Sequence, residues 1–347
     1  MNIPVSLVST VLNDRHGAEN LLADLAQQTR LPDEFVVVDG GSTDGTYEYL
    51  CEKAKSLPFR LRVIQEKGAN VSRGRNLAID KAVHEVILTT DFGCRLDTNW
   101  VKELVTPFEQ DTSIEIVTGS WKIPEQDVQT PAQWAEWALA KGKLELIATP
   151  TCLASTRSLA FNKQVWIEFG KYPEDLTLTG DDAIFSLWMV SAKRNIAAAP
   201  KAMCYWHRFP KLKSYWKEAK RNFRGAGEAI FFLKYGVKVG ILFTLETLSL
   251  VALITLLLLL PLGVPIQLFY GVATLTVLIW IKRLLRWFEA IQLLSNVRKS
   301  SYWPWVIGLE LGKRINSVVG YWLGFFYGFK HCQTCRKQMR QLRVRRW

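Results

Sequence analysis

Carboxylates stand at the ends of apolar runs at several places in this chain. Phe35-Val36-Val37-Val38 runs into Asp39, and Val86 to Thr90 runs into Asp91, with Asp97 close behind. Thr179-Gly180 leads into the adjacent pair Asp181-Asp182. A further stretch, Ser72-Arg73-Gly74-Arg75-Asn76, opens a helical pattern and offers a hydroxyl, two guanidinium groups and backbone N–H donors. Donors at a helix N-terminus suit phosphate. Acids gathered at several strand ends suit a divalent cation, and a cation suits a diphosphate. The Asp181-Asp182 pair puts two like charges side by side, which raises the pKa of one of them. Plainer readings stand beside these: Asp39 as the cap of a βα turn, and Asp181-Asp182 as the acidic first turn of a helix.

The elements that must hold these residues follow from the hydrophobic pattern. Pro4 to Leu12 reads as a strand, Glu19 to Gln28 as a helix, and Phe35 to Val38 as a strand buried on both faces. Gly40-Gly41 allow a tight turn after Asp39, and a helix follows to about Ser56. Arg60 to Gln65, Val86 to Thr90 and Ile114 to Ser120 read as further strands, with helices over 72–83 and 100–108 between them. Strands alternating with helices of this length predict βαβ units, an α/β fold and a mostly parallel sheet. Asp39 and Asp91 then lie at the carboxyl ends of strands, where open α/β sheets bind ligands. Thr130 to Leu146 reads as one helix, Ser158 to Phe161 as a short strand, and Asp181 to Ser191 as a helix.

Bulk properties point away from an ordinary soluble enzyme. The 347 residues carry a formal charge of +12, yet 49% of them are apolar. Six cysteines without a framework spacing fit a reducing compartment. Met1-Asn2-Ile3-Pro4 shows no basic segment followed by an apolar one, so no secretory signal is expected and the first domain is placed on the cytosolic side. Lys201 to Lys238 holds ten Lys or Arg against Glu218 and Glu228, with aromatics between them, Phe231 and Phe232 included. It directly precedes an apolar span, so a membrane surface is the better partner than nucleic acid. Val239 to Ile281 contains one charge, Glu246, and is broken at Pro261-Leu262-Gly263-Val264-Pro265. Two transmembrane helices at about 239–260 and 265–282, with flanking Lys and Arg at both ends, predict a hairpin anchored in the inner or plasma membrane. The long aromatic stretch 303–329 is expected to be an interfacial or partly re-entrant helix. The basic tail after it, with Lys330, Arg336, Lys337, Arg340, Arg343, Arg345 and Arg346, is expected to lie on anionic headgroups. The resulting division is 1–228 for the catalytic domain and 229–347 for the membrane-associated region.

The order of these motifs resembles that of family 2 glycosyltransferases. The resemblance rests on Pro4 to Asn13, the Val-Val-Val-Asp-Gly-Gly-Ser-Thr-Asp-Gly-Thr stretch, Arg73-Gly-Arg-Asn76 and Thr-Asp-Phe-Gly-Cys94. It also rests on Tyr172-Pro173-Glu174-Asp175 followed by Gly180-Asp181-Asp182, and it covers about residues 3–228. It implies a GT-A fold and inverting transfer from a nucleotide-sugar to a hydroxyl of a membrane- or lipid-linked acceptor in glycan biosynthesis. It implies that Asp39 holds the base or ribose, and that Ser72, Arg73, Arg75 and Asn76 lie near the sugar nucleotide. Asp91 would take the place of the metal-binding Asp-X-Asp motif, for Mg2+ or Mn2+. Asp182 would be the general base, with Asp181 beside it. Gly93 departs from the pattern where a second metal-binding Asp is usual, so metal binding would rest on Asp91 with help from Asp97, His207 or the substrate diphosphate. Two rivals follow: transfer to polyprenyl phosphate, which needs no base, and a non-catalytic membrane scaffold.

Other signals weigh less. Asp91-Phe92-Gly93 imitates a kinase metal motif without the surrounding kinase elements. His207 reads as a packed or surface histidine. Cys332-X-X-Cys335 lacks the partner pair that zinc would need. Arg157 reads either as a ligand for an acceptor phosphate or as an ordinary surface arginine.

Overall fold

The computed structural model describes residues 3–152, 155–230 and 233–342. Phe231 and Phe232 of the basic aromatic stretch, and Arg343, Arg345 and Arg346 of the tail, lie outside the described residues. In chain order the elements are β1 (Val5–Val11), α1 (Arg15–Ala26), β2 (Glu34–Asp39), α2 (Thr46–Lys53), β3 (Arg60–Gln65), α3 (Val71–Lys81), β4 (Val86–Thr89), β5 (Cys94–Leu96), α4 (Trp100–Gln110), β6 (Ile116–Lys122) and α5 (Pro131–Leu139). There follow β7 (Glu145–Leu146), β8 (Leu159–Asn162), α6 (Lys163–Phe169), α7 (Asp181–Ser191), β9 (Ile196–Trp206), α8 (Leu212–Glu228), α9 (Leu233–Leu259), α10 (Ile266–Asn296), α11 (Trp303–His331) and α12 (Gln333–Gln341).

Two compact units form. The first holds the described residues up to Asp127, then Leu144–Arg208, then Tyr327 to Leu342; the second holds Val128–Lys143 and Phe209–Phe326. The boundary expected at 228 therefore moves. Helices α5 and α8 pack with the apolar helices, whereas the end of α11 and all of α12 return to the first unit.

The first unit is built on a mixed sheet with strand order β3-β2-β1-β4-β8-β6-β9-β5. Strands β1 to β4 are parallel, as the alternating pattern requires. Strands β6 and β9 also pair parallel, whereas β8 runs antiparallel to β4 and β6, β5 to β9 and β7 to β6. Helix α5 lies between β6 and β8 in the chain but belongs to the second unit, so it does not act as a crossover that imposes the parallel direction. Every residue of β2 is buried, because its unbroken apolar run leaves no polar face for water. The predicted 130–146 helix stops at Leu139. Lys141 (φ 56°) and Gly142 (φ 78°) turn left-handed, and the Gly142 N–H closes on the Trp137 carbonyl at 2.9 Å, a glycine-ended helix terminus.

In the second unit α8 and α11 meet backbone to backbone. A Cβ on Gly324 would run into the Arg224 carbonyl, one on Gly320 into the Lys220 carbonyl, and one on Gly227 into the Tyr321 carbonyl. Small residues four apart allow this approach. The stretch 303–329 is thus part of one continuous helix packed on α8. Helices α9 and α10 are long and apolar enough to cross a membrane. Helix α9 exposes Ile241, Leu245, Leu248, Val251, Ile254 and Leu258, a face that water disfavours. Glu246, the one charge in that run, is buried and paired with Arg283 of α10 at 3.0 Å and Arg314 of α11 at 3.2 Å. Glu310 of α11 in turn takes Arg283 and Arg286, each at 3.3 Å. At about 1.5 Å per residue, Glu246 stands roughly 24 Å along α9 from the Pro261–Pro265 break.

Candidate active site

The site is assembled at the carboxyl edge of the parallel strands. Asp39 is the last residue of β2 and is fully buried. Its Oδ1 accepts the backbone N–H groups of Gly41 and Ser42, each at 2.9 Å, and the Gln65 amide at 3.3 Å. Its Oδ2 is buried without a hydrogen-bond partner. An unsatisfied buried carboxylate oxygen costs free energy, and such an atom is open to a donor from water or from a ligand. Gly41 sits at φ 100°, in the left-handed region that glycine enters without strain, and so lets the chain fold back over that carboxylate.

The turn after Asp39 is tied to the start of α3. The Gly68 N–H donates to the Gly40 carbonyl at 2.9 Å, and Asn70 caps α3 by accepting the Arg73 N–H at 2.9 Å. Gly74 lets α3 lie against β1, since a Cβ there would enter the Thr10 hydroxyl. This close approach points Arg75 inward, where it is 8% exposed. Its guanidinium forks between two acids far away in sequence: Nη1 donates to Asp181 Oδ2 at 2.6 Å and Nη2 to Asp91 Oδ1 at 2.9 Å. Burial works against this charge, but the Asp181 and Asp91 carboxylates outweigh it and raise the Arg75 pKa.

Asp181 and Asp182 open α7, after Gly180 at φ 107°. Two acids in a first helical turn are favoured by the helix dipole. Asp181 is buried and spent on Arg75, whereas Asp182 is partly open to solvent and its Oδ1 accepts the Ala183 N–H at 2.8 Å. Removal from water, with the Asp181 carboxylate beside it, raises the Asp182 pKa; Arg75 and Arg157 pull it back. Tyr172 stands in the same field. Burial raises its phenol pKa, with Arg75, Asp181, Asp182 and Asp91 all acting on it, and its hydroxyl has no hydrogen-bond partner. Arg157 stacks 3.9 Å from the Trp206 ring centroid and has no carboxylate partner among the described residues.

Not every expected site residue is available to a ligand. Asn76 is buried, and its bonds are used internally. Its amide donates to the Tyr172 carbonyl and Glu174 Oε1, both at 2.8 Å, and its Oδ1 accepts the Tyr172 N–H and the Trp166 indole. Arg73 is half-exposed between Glu66 at 3.2 Å and Glu174 at 3.3 Å, which raises its pKa. Ser72 is buried in the first turn of α3. Asp97 accepts the Asn99 N–H at 3.0 Å ahead of α4, and His207 Nδ1 lies 2.6 Å from Asp127. Neither supports Asp91. Asn70 was missed as a site builder, although an Asn directly before Val71-Ser72 is a cap signal that sequence reading can use. Tyr172 was named only as part of the Tyr172-Pro173-Glu174-Asp175 block, with no role of its own.

Among the described residues no cluster of three His, Cys, Asp or Glu could hold a metal ion. Gly93 is exposed, and a Cβ built on it meets nothing within 4 Å. Asp91, with its side chain 37% exposed, leaves one carboxylate oxygen beside its bond to Arg75. A single carboxylate fits Mg2+ or a similar ion only when a diphosphate and water complete the shell, which is the usual habit of Mg2+.

Comparison with known proteins bears on the family and the fold of the chain. Residues 6–163 match the family model described as Glycosyl transferase family 2. An O-antigen chain rhamnosyltransferase, RfbN, from Salmonella typhimurium is 27% identical over 209 residues, which cover 57% of this chain and 65% of that protein. The chain thus matches just under two thirds of that relative's length. The structure of the mannosyltransferase PcManGT from Pyrobaculum calidifontis, in complex with GDP-Man and Mn2+, is 15% identical with a TM-score of 0.57. The match covers 93% of this chain and 88% of that one. Crystals of S. aureus TarS 1-349 give a TM-score of 0.45 at 16% identity, covering 63% of this chain and 64% of that one. The PcManGT likeness bears on the fold alone and extends through the C-terminal helices.

Proposed function

We propose, from the match of residues 6–163 to the Glycosyl transferase family 2 model, that this chain is an inverting glycosyltransferase of glycan biosynthesis. It moves a sugar from a nucleotide-sugar to a hydroxyl of a lipid-linked acceptor at the membrane, with the catalytic domain on the cytosolic side. The observation that carries the reading is the Arg75 fork, which reaches Asp91 16 residues away and Asp181 106 residues away and leaves Asp182 beside them with a raised pKa. The RfbN relative, named for O-antigen chain transfer, and the two apolar helices support the glycan and membrane parts.

The chemistry follows from charge. The unpartnered Oδ2 of Asp39 accepts from the nucleoside, either a base N–H or a ribose hydroxyl. Rupture of the sugar–diphosphate bond leaves negative charge on the departing phosphate. Preorganised cations aimed at that charge lower the barrier, and Arg75 is fixed by two acids before substrate arrives. A divalent ion held by Asp91 would supply Lewis-acid stabilisation of the same diphosphate. On the opposite face, Asp182 takes the proton of the acceptor hydroxyl as that oxygen attacks, and one displacement inverts the anomeric carbon.

A donor screen tests this. Membranes carrying the full-length chain, given a panel of nucleoside diphosphate sugars with and without Mn2+, are expected to release nucleoside diphosphate from one donor and to label a lipid-extractable product. A chain that consumes none of the donors under either condition contradicts the reading.

A further inference from the structure

The loop from Phe169 to Leu176, which leads within a few residues to Asp181-Asp182, is held from two sides. On one side stands α3, which also carries Arg75. Asn70 donates to the Glu174 and Leu176 carbonyls at 2.7 and 2.8 Å, Asn76 fixes Tyr172 through both its N–H and its carbonyl, and Asp80 pairs with Lys171 at 2.9 Å. On the other side stands α12, at the far end of the chain. Gln338 donates to the Phe169 carbonyl at 2.7 Å and the Lys171 carbonyl at 2.8 Å. Asp175 accepts the Cys335 N–H with both carboxylate oxygens, at 3.1 and 3.0 Å, and its carbonyl accepts the Cys332 thiol at 2.9 Å. An acid on an N–H of a first helical turn is a cap, here supplied from 160 residues away.

The loop needs such support. Gly170 (φ 84°) and Lys171 (φ 68°) are consecutive left-handed residues, and Lys171 bears a Cβ that this conformation disfavours. Cys332, Cys335 and Met339 are buried on the face of α12 that makes these contacts. The helix expected to rest on lipid headgroups is therefore spent, on this face, on the loop that presents the catalytic pair.

We propose that α12 is a positioning element of the acceptor-side site, with Gln338 and Asp175 as its positioning residues, so that transfer depends on the chain that follows the membrane helices. The proposal rests on Asp181-Asp182 carrying the proton-transfer chemistry. It assigns Gln338 and Asp175 no contact with substrate. They set where Asp182 stands relative to the attacking hydroxyl, an alignment whose loss by about 1 Å costs up to ~100-fold in rate.

The test compares full-length Gln338→Glu, Asp175→Ala and Asp182→Asn with the wild type in the donor-transfer assay. Gln338→Glu keeps the side-chain size, removes both N–H donors and sets a carboxylate against two carbonyls. Both positioning variants are expected to lower kcat by roughly tenfold or more with donor KM within about twofold of wild type. Their unfolding midpoints should stay near the wild-type value. Wild-type kcat in both variants overturns the proposal, as does a joint collapse of kcat, donor KM and unfolding midpoint, which marks a purely structural contact. Wild-type transfer by Asp182→Asn sinks the assignment of the base itself, and with it the reason for positioning it.

Discussion

Arg75→Ala is expected to abolish transfer and to destabilise the first unit by about 3–5 kcal/mol, the usual loss when one partner of a buried ion pair is removed. The Arg75 side chain is 10% exposed and Asp181 4%, so water cannot replace the lost cation. Asp181, Asp91 and Asp182 would face one another without the guanidinium that bridges Asp91 and Asp181, leaving Arg157 as the cation that acts on Asp182. Like charges so placed favour a proton held on one of them. The sign of the pH effect follows. In the variant the folded state holds a proton on one of these acids that the unfolded chain has released, so stability falls as pH rises and partly recovers in acid. Arg75→Lys should recover little, because an ammonium cannot fork to two carboxylates in fixed directions. Chemical unfolding of the purified full chain at two pH values measures both effects. A variant as stable as wild type, and more stable at neutral pH than in acid, would show that Arg75 does not hold these acids together.

Asp182→Asn is expected to lower transfer to a hydroxyl acceptor by about 10²–10⁴-fold while leaving donor binding intact. The asparagine keeps the shape and loses the basic lone pair. The wild-type pH profile belongs to the same prediction. A base works only when ionised, and burial together with Asp181 raises the Asp182 pKa. The acidic limb of kcat should therefore lie above the ordinary carboxylate range, with the rate rising as pH passes through it and then levelling. In the variant that limb should vanish. Steady-state transfer across pH with both proteins measures this. A small loss in Asp182→Asn with the limb unchanged would point to an acceptor that is already anionic, such as a polyprenyl phosphate, which needs no base.

The legibility of this fold in the sequence was uneven, and the reasons are physical. Asp39 was readable because a β-branched run with no polar alternation can only be a covered strand, and Gly40-Gly41 end it sharply. The first four parallel strands followed from the same alternation. The direction of β8 did not, since a four-residue strand after a loop carries no mark of its partner. Arg75 was legible as a cation near phosphate. Its fork between Asp91 and Asp181 was not, because those partners are 16 and 106 residues away and no local pattern records them. Asn76 shows the opposite error: an amide beside a site arginine looked like a ligand group, and it proved to be a brace for Tyr172 and Glu174. In the C-terminal region, composition identified the apolar helices but underrated α10, which continues to Asn296 because Arg283, Trp287, Ala290 and Leu294 place one buried stripe on the same face. The basic character of the tail hid the Asp175 and Gln338 contacts of α12, which charge counting cannot see.

The most direct test of the central claim, that separate loops converge on one nucleotide-sugar site, is a calorimetric titration of the full-length chain with the nucleoside diphosphate of the active donor. The measurement would be made on the wild type and on Asp39→Ala. Saturable binding by wild type that weakens about tenfold or more in Asp39→Ala, the cost of one lost charge-assisted hydrogen bond, is the predicted result. Equal affinity in the two proteins, or no binding by either, would contradict the account.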